Sequence, residues 1–437
     1  LQYENFGPIF LGPYFFGPTF TGPELSYHRT RRTMIRRITT PRQRNPFEIG
    51  LIARGNHFAD REEEVARIAS VLQSPGSRLV VYGDRRLGKS SAVDRAAEVA
   101  RKAKQTVVVA TLATATDPSD AAQQIVRGVR EQVGRNWRAT LDGVAGRLQA
   151  SMELTPPSAM GEPGGVRFEF GLREQGSERR NLLWEALGAV NAQMEAEGRT
   201  LGIAIDEFQR IHEWGGEDAE WALKAALETH RNLAYVLAGS KRHLIEGMIT
   251  SKSRALWKQV DVLAFQPIDA EVLAEWIHDH ARRGGVLLPL SACDRIVRLA
   301  GPRTRDVVQL ARVVWDAALR SGSDQEGLVE TALETLVQEQ GALFSALWRG
   351  LQATDQRILR AVAAEPNIAL QSADALQRYR LGPKSTVSSA LVRMVDNEVL
   401  ARDDAGRYSF DDPFFRRWVQ RVALADLGLP TPALGSG

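Results

Sequence analysis

Leu79-Val-Val-Tyr-Gly83-Asp-Arg-Arg-Leu-Gly88-Lys89-Ser90-Ser91 is the stretch of sequence that decides the fold of this chain. An apolar run rich in β-branched residues breaks into the pattern G-x-x-x-x-G-K-S and continues as the helix-forming Ala92-Val-Asp-Arg-Ala-Ala-Glu. A strand, a glycine-rich loop and a helix in this order form a cradle for the phosphates of a nucleotide. A glycine-rich turn can match the pattern by chance, but the flanking strand and helix favour the phosphate loop.

The residue types of this loop suit its predicted chemistry. Gly83 and Gly88 let the backbone turn so that its N–H groups point toward a phosphate at the N-terminal end of the next helix. Lys89 is expected to reach the β- and γ-phosphates, and the Ser90 hydroxyl to bind Mg²⁺. The loop therefore predicts that the chain binds ATP or ADP with Mg²⁺. The predicted nucleotide contacts are Gly83, Asp84, Arg85, Arg86, Leu87, Gly88, Lys89, Ser90 and Ser91.

A second apolar strand ends in two carboxylates. The stretch Thr200-Leu-Gly-Ile-Ala-Ile-Asp-Glu-Phe-Gln209 is nearly continuously apolar before Asp206, which is typical of a strand buried on both faces of a parallel sheet. Ligand sites of such sheets lie at the carboxyl ends of the strands. We expect Asp206 to hold the Mg²⁺ shell and Glu207 to orient or deprotonate the attacking water. An Asp-Glu pair that caps the next helix is the alternative, which the phosphate loop in the same chain disfavours.

A third strand, Leu233-Ala-Tyr-Val-Leu-Ala-Gly239, ends at the polar residue Ser240. A polar side chain at this end of the sheet can touch the attacking water between the two catalytic strands. Ser240 fits that role, and it fits equally well as the cap of the following helix. The sequence leaves both interpretations open.

Composition sets the class of protein. The chain has 437 residues, of which 43% are hydrophobic and 25% charged, as in a globular protein of roughly two to four domains. No apolar run is long enough to span a bilayer, so we expect no contact with a membrane. The only cysteine, Cys293, excludes an intrachain disulfide and fits a reducing, cytoplasmic location. Cys293 lies in a helical pattern and is interpreted as a core residue rather than a nucleophile.

Residues 1–45 are predicted to be a flexible arm. Gly-Pro recurs four times between residues 7 and 23 with aromatic residues between the repeats, which excludes a helix. Residues 1–47 contain seven arginines and two glutamates, a net charge of +5 in a chain whose total is +3. Such a basic run binds phosphate backbones or acidic protein surfaces, or it stays a solvated tail.

The C-terminal part is predicted to contain helices and then a winged helix. The pattern is helical from Asp269 onward, and from Thr354 it gives three helices followed by a strand, a turn and a strand. The third of these helices carries Lys384 and Arg393, which Asp396 and Glu398 offset. A helix that reads DNA usually carries more positive charge. Contact with DNA and packing inside the protein therefore both remain open for this unit.

Taken together, these stretches resemble the AAA+-like ATPase family first described mainly from archaea. The matching stretches are Phe58-Ala-Asp-Arg-Glu62, the phosphate loop with its double arginine, Ile205-Asp-Glu-Phe-Gln209, Leu237-Ala-Gly-Ser240 and Asp412-Pro-Phe-Phe-Arg-Arg-Trp418. The resemblance implies a nucleotide-binding core, a helical lid and a winged helix, close in architecture to replication initiators and to STAND-type signalling ATPases.

The resemblance also implies roles for single residues. It assigns Lys89 to the phosphates, Ser90 and Asp206 to Mg²⁺, Glu207 to water activation and Ser240 to the first sensor. Arg303, in a Gly-Pro-Arg stretch of the lid, resembles the second sensor that reaches the γ-phosphate, and Arg305 could replace it. Arg254 resembles an arginine finger offered to a neighbouring subunit, or it is a surface arginine. Asp84 departs from the neutral residue expected in the loop and would need Arg85 or Arg86 as a partner.

The sequence therefore predicts an α/β protein, a P-loop NTPase of the AAA+-like type with a parallel sheet. The predicted parts are the arm at 1–45, the ATPase core at 46–268, the helical lid at 269–345, the winged helix at 346–425 and a tail at 426–437.

The predicted function is an ATP-hydrolysing switch that acts on double-stranded DNA through the winged helix and the basic arm. The alternative is a signalling or defence ATPase whose winged helix packs internally and whose partner is a protein or another copy of the chain. A metabolic kinase is a distant third, because it has no role for the winged helix or the lid arginine.

Overall fold

The structure is a computed structural model, and it describes residues 44–133, 182–323, 327–403 and 405–423. The basic arm up to residue 43 and the tail lie outside the described residues. The Pro- and Gly-rich stretch 154–176, whose sequence predicts a hairpin or a lid-like insertion, lies outside them as well.

A five-stranded parallel sheet forms the centre of the first half of the chain, as predicted. The strands are β1 (Arg78–Tyr82), β2 (Val107–Thr111), β3 (Leu201–Asp206), β4 (Leu233–Gly239) and β5 (Asp261–Ala264). Their order across the sheet is β2-β3-β4-β1-β5. In the sheet, β4 lies next to the phosphate-loop strand β1, and the carboxylate strand β3 lies on the other side of β4. This order brings the ends of β1, β4 and β3 side by side.

Helices cover both faces of the sheet. They are α1 (Glu62–Leu72), α2 (Lys89–Lys102), α3 (Pro118–Val133), α4 (Leu182–Ala196), α5 (Arg210–Thr229) and α6 (Arg242–Thr250). One apolar cluster, which includes Ile68, Val81 and Ala96, fills the face under α1 and α2. A second cluster, which includes Ile125 and Leu187, fills the opposite face. The central strands are buried on both sides, which explains their continuous hydrophobicity.

The lid and the winged helix follow the sheet. The lid contains α7 (Ala270–Arg283), α8 (Leu290–Ala300), α9 (Thr304–Ser321) and α10 (Leu328–Glu339). The last unit contains α11 (Gly341–Gly350), α12 (Ala353–Ala364), α13 (Ala373–Arg378), α14 (Lys384–Asp396), β6 (Leu400–Arg402), β7 (Tyr408–Phe410), α15 (Pro413–Trp418) and a π-helical turn (Val419–Ala423). The β6–β7 pair is antiparallel and forms the predicted wing. Cys293 is buried in α8, as expected, and burial raises the pKa of its thiol to about 12.

The lid and the winged helix share one apolar core, although the sequence suggested two separate units. The cluster runs from Leu273 in α7 through Leu333 in α10 to Phe415 and Trp418 in α15. Phe47, which was assigned to the ATPase core, belongs to this cluster as well. Because one core joins these elements, the lid and the winged helix are expected to move together. Across the ranges that the structure describes, no helix is long and apolar enough to cross a bilayer.

Candidate functional site

The phosphate loop joins β1 to α2 and takes its shape from two glycines. Gly88 has a φ of +93° directly before α2 begins at Lys89, a conformation that a residue with a Cβ rarely adopts. A Cβ on Gly83 would lie 2.5 Å from the backbone oxygen of Phe265, so only glycine fits against the end of β5. These two positions explain why the loop can wrap its backbone N–H groups around an anion.

Lys89 points back into this loop. Its ammonium group donates a hydrogen bond of 2.8 Å to the backbone oxygen of Gly83 and another to that of Asp84. The side chain is buried, and burial lowers its pKa from 10.5 to about 8, although Glu207 and Asp206 act in the opposite direction. A lysine held in this way is poised to exchange its carbonyl partners for the oxygens of a phosphate.

The structure brings Ser90 and Asp206 together from separate elements. The Ser90 hydroxyl donates a 2.6 Å hydrogen bond to Oδ2 of Asp206, and the Glu207 N–H donates to Oδ1 over 3.0 Å. Burial raises the pKa of Asp206, while the hydrogen bond from Ser90 lowers it. One hydroxyl and one carboxylate fit Mg²⁺, which is usually held by few protein oxygens together with phosphates and water. The described residues contain no cluster of three or more Asp, Glu, His or Cys that could hold a metal alone.

Glu207 follows Asp206 with a φ of +55°, a left-handed conformation that is unusual for glutamate. The Ser240 hydroxyl donates to both of its carboxylate oxygens, at 3.0 Å and 2.8 Å, and the side-chain amide of Gln209 donates to Oε2. Ser240 therefore contacts the predicted water-activating residue rather than capping α6, whose N-cap is Lys241. The carboxylate lines the same cleft as Lys89 and Ser90 of the phosphate loop.

Arg85 and Arg86 bind carboxylates of the winged helix instead of Asp84. Arg85 pairs with Glu398 and donates to the Ser240 hydroxyl over 3.4 Å. Neither arginine forms an ion pair with Asp84 in this structure. The need for such a partner beside bound phosphates stays a prediction. Asp84 lies at the surface, where water solvates its charge without an ionic partner.

Arg86 is the centre of a charge cluster that joins three parts of the molecule. Its guanidinium lies 3.0 Å from Oδ1 of Asp306 in the lid, pairs closely with Asp411 after β7, and lies 3.9 Å from Asp412. Arg303 of the lid pairs with the other oxygen of Asp411. Burial raises the pKa of Asp306 to about 6, and Asp412 and Asp411 add to this effect, whereas the two arginines oppose it.

The two lid arginines named as sensor candidates have different positions. Arg303 is held by Asp411. Arg305 lines the cleft beside the phosphate loop, and its backbone N–H donates to the Arg86 oxygen over 3.1 Å. Arg305 lines the cleft, whereas Arg303 is connected to the phosphate loop through Asp411, which Arg86 also binds. Which of the two is the second sensor stays a prediction.

Arg254, the candidate finger, is bound within its own chain. It donates to Glu220 through Nε over 2.8 Å and through a second nitrogen, and Glu220 is fully buried. His212 contacts the same carboxylate at 2.6 Å. The side chain is thus neither a free surface arginine nor extended toward a neighbouring molecule in this structure.

A cleft of about 780 Å³ opens above the phosphate loop, within the size range of small-molecule sites. Lys89, Ser90, Glu207 and Arg305 line its polar side, and residues 49–53 together with Trp276 line an apolar side. Sequence analysis did not identify this apolar side. Its one signal was the pair of consecutive aliphatic residues Leu51 and Ile52, which are exposed here, at 72% and 48%.

Arg61, within the stretch Phe58–Glu62, supports the site, a role that its sequence context did not indicate. Its backbone is left-handed, with a φ of +83°, directly before α1. The buried guanidinium lies 4.2 Å from the ring centroid of Phe265 and donates to the backbone oxygen of Gln266. It also reaches the Leu87 oxygen in the phosphate loop at 3.5 Å. Arg61 therefore ties the loop to the chain that leads into the lid.

Comparison with known proteins agrees with this geometry. Residues 58–285 match a family described as an ATPase domain predominantly from Archaea, and residues 342–421 match a family described as a probable winged helix domain. Among solved structures, the chain is similar to the Walker-type ATPase of Pyrococcus abyssi at 17% identity, with 86% of this chain and 99% of that chain covered and a TM-score of 0.56.

It is also similar to the ORC2 protein of Aeropyrum pernix, solved as ADPNP-ADP complexes, at 16% identity, with 89% and 99% of the two chains covered and a TM-score of 0.52. A search of curated proteins gives no match. At these identities the two structures show a shared fold, whereas the ATPase family match covers more than half of the sequence. The chain therefore belongs to the ATPase family found predominantly in Archaea, and it carries a winged helix domain at its C-terminal end.

Proposed function

We propose that this chain is an ATP-hydrolysing molecular switch in which the nucleotide controls how the lid and the winged helix pack against the phosphate loop. The observation that carries the proposal is the pairing of both loop arginines with the winged helix, Arg85 with Glu398 and Arg86 with Asp411. The backbone of these arginines belongs to the phosphate cradle. Any change of charge in the cradle therefore acts directly on the contact with the winged helix.

The proposed chemistry uses the residues that line the cleft. Lys89 and the loop N–H groups would bind the phosphates, and Ser90 and Asp206 would hold Mg²⁺, which neutralises charge on the transferred phosphoryl group. Glu207 would accept a proton from the attacking water, with Ser240 setting its orientation. Arg254 has no step in the cleft of its own chain, because it pairs with Glu220 and does not line that cleft. Its role as a finger toward a neighbouring subunit stays a prediction.

We infer that the output of the switch is contact with a protein, which includes assembly with further copies of the chain. The winged helix places acidic residues, Glu398 and Asp411, on the phosphate loop, so one of its surfaces is used inside the protein. Arg393 of the third helix pairs with the largely buried Asp355 of the same domain and is not available for a phosphate backbone. Both contacts favour an internally packed winged helix.

Duplex DNA is the second candidate partner, and one observation favours it. The face of α14 that carries Lys384, Ser385, Ser389 and Val392 is exposed, as a helix that enters a groove must be. This face carries a single positive charge from Lys384. Because one charge releases few counterions, binding through this face alone would be weak and only shallowly dependent on salt.

Steady-state ATP hydrolysis by the full chain, with and without duplex DNA at low and moderate salt, tests the proposal. We expect slow Mg²⁺-dependent turnover that DNA leaves unchanged, and a nucleotide-dependent change of mass in light scattering. Lys89→Ala should abolish nucleotide binding, whereas Lys102→Ala, at the far end of the same helix, should not. Strong, salt-sensitive stimulation by DNA would instead establish DNA as the partner. The absence of nucleotide binding to the unchanged chain would refute the switch itself.

A further inference from the structure

Asp411 occupies an unusual position in the charge cluster beside the phosphate loop. It directly follows β7, and its side chain is 17% exposed on the wall of the cleft that also contains Lys89 and Glu207. One carboxylate oxygen pairs with Arg86 and the other pairs with Arg303. A single winged-helix side chain thus binds one arginine of the phosphate loop and one arginine of the lid.

The neighbouring carboxylates do not share this arrangement. Asp306 contacts Arg86 but lies in the lid at the start of α9. Asp412 caps α15, because its Oδ1 accepts hydrogen bonds from the N–H groups of Phe414 and Phe415 at 2.8 Å and 3.0 Å. Among the ion pairs of the described residues, only Asp411 joins both arginines.

A carboxylate and a terminal phosphate are alternative ligands for an arginine. Both offer paired anionic oxygens to the planar guanidinium, which stays charged at every physiological pH. Arg86 and Arg303 are largely buried, at 18% and 12% exposure, so their charges require an anionic partner near the cleft. A nucleoside diphosphate leaves Asp411 as that partner, whereas a triphosphate brings a competing group.

We propose that Asp411 determines the preference between triphosphate and diphosphate, because it competes with the terminal phosphate of the nucleotide for Arg86 and Arg303. This proposal rests on the proposed function and adds to it the selectivity of the site between nucleoside triphosphate and diphosphate. With a diphosphate, Asp411 keeps the winged helix on the phosphate loop. A triphosphate has to displace Asp411 before both arginines can turn toward it, so the carboxylate lowers affinity for the triphosphate alone.

The test compares affinities for Mg-ADP and Mg-ATP in a Glu207→Gln background that prevents turnover, by calorimetry on the full chain. Asp411→Asn should bind ATP about tenfold more tightly, or about 1.4 kcal/mol, and change ADP affinity less than about twofold. Asp403→Asn, an exposed wing carboxylate that pairs with Arg407, is the matched control and should change neither affinity. Asp411→Glu, which keeps the charge, should retain most of the original ratio.

Arg303→Gln is an independent test in which ATP affinity should change in the opposite direction, since the variant lacks an arginine that the triphosphate needs. We expect weaker ATP binding in this variant and a smaller effect of Asp411→Asn when the two substitutions are combined. If the unchanged chain binds both nucleotides and Asp411→Asn leaves their ratio unaltered, the competition is refuted and the switch is not. If Asp411→Asn does not fold, the competition is refuted instead by an Arg303→Gln variant whose ratio of ATP to ADP affinity is unchanged. Failure of the unchanged chain to bind either nucleotide would overturn both proposals.

Discussion

Nucleotide binding should be coupled to proton uptake by Lys89. Burial lowers the pKa of this side chain from 10.5 to about 8, which corresponds to roughly 3 kcal/mol against the charged form in the folded protein. Phosphates beside the ammonium group favour its charged form and raise the pKa again. At pH 8 about half of the free protein carries neutral Lys89, so binding should take up about half a proton. Uptake should be near zero at pH 6.5 and approach about one proton at pH 9.

Isothermal titration calorimetry with Mg-ADP in buffers of different ionisation enthalpy measures this uptake directly. The same lowered pKa affects folding, because the unfolded chain binds more protons than the folded chain between pH 8 and 10.5. In the absence of nucleotide, the free energy of unfolding should therefore rise with pH across this window. Lys89→Arg, which stays charged, should remove the uptake even where it weakens binding. Equal uptake at pH 6.5 and pH 9, or unchanged uptake in Lys89→Arg, would refute the reasoning.

Three further predictions concern the site. Glu207→Gln should bind Mg-ATP with nearly unchanged affinity and hydrolyse it about a hundredfold or more slowly, because general bases contribute about 10²–10⁴-fold; wild-type turnover would remove Glu207 from the mechanism. Ser240→Ala leaves Glu207 with Gln209 as its other side-chain donor, so turnover should fall about tenfold while ATP affinity, measured by fluorescence titration, stays within about twofold. Gly83→Ala, whose Cβ would meet the Phe265 oxygen at 2.5 Å, should lower the free energy of unfolding by about 1–3 kcal/mol in urea. Its control is Gly247→Ala in α6, with open space around the new Cβ, which should stabilise by about 0.5–1 kcal/mol; equal effects at both glycines would contradict the argument.

Local sequence signals were enough for the central features of the fold. The phosphate loop was readable because a buried strand, two glycines and a helix start lie within a few residues of one another. Asp206 and Glu207 were readable because an apolar strand ended at them, and parallel strands align their carboxyl ends. The wing was readable from two short strands around a turn. Each of these signals arises from hydrogen bonding or burial among residues that are close in sequence. The periodicity and spacing of residue types along the chain therefore reveal it directly.

The tertiary structure decided which charges meet. Arg86 lies 325 residues from Asp411 along the chain, and nothing in either local pattern indicates their pairing. The same holds for Arg254 and Glu220, and for the apolar side of the cleft at 49–53, where the segment runs between the lid and the ATPase core. The sequence by itself determined the phosphate cradle, because a cradle is built by consecutive residues. Only the folded chain decided that the winged helix holds the arginines of that cradle, because the energy of an ion pair depends on distance and burial, which sequence separation does not encode.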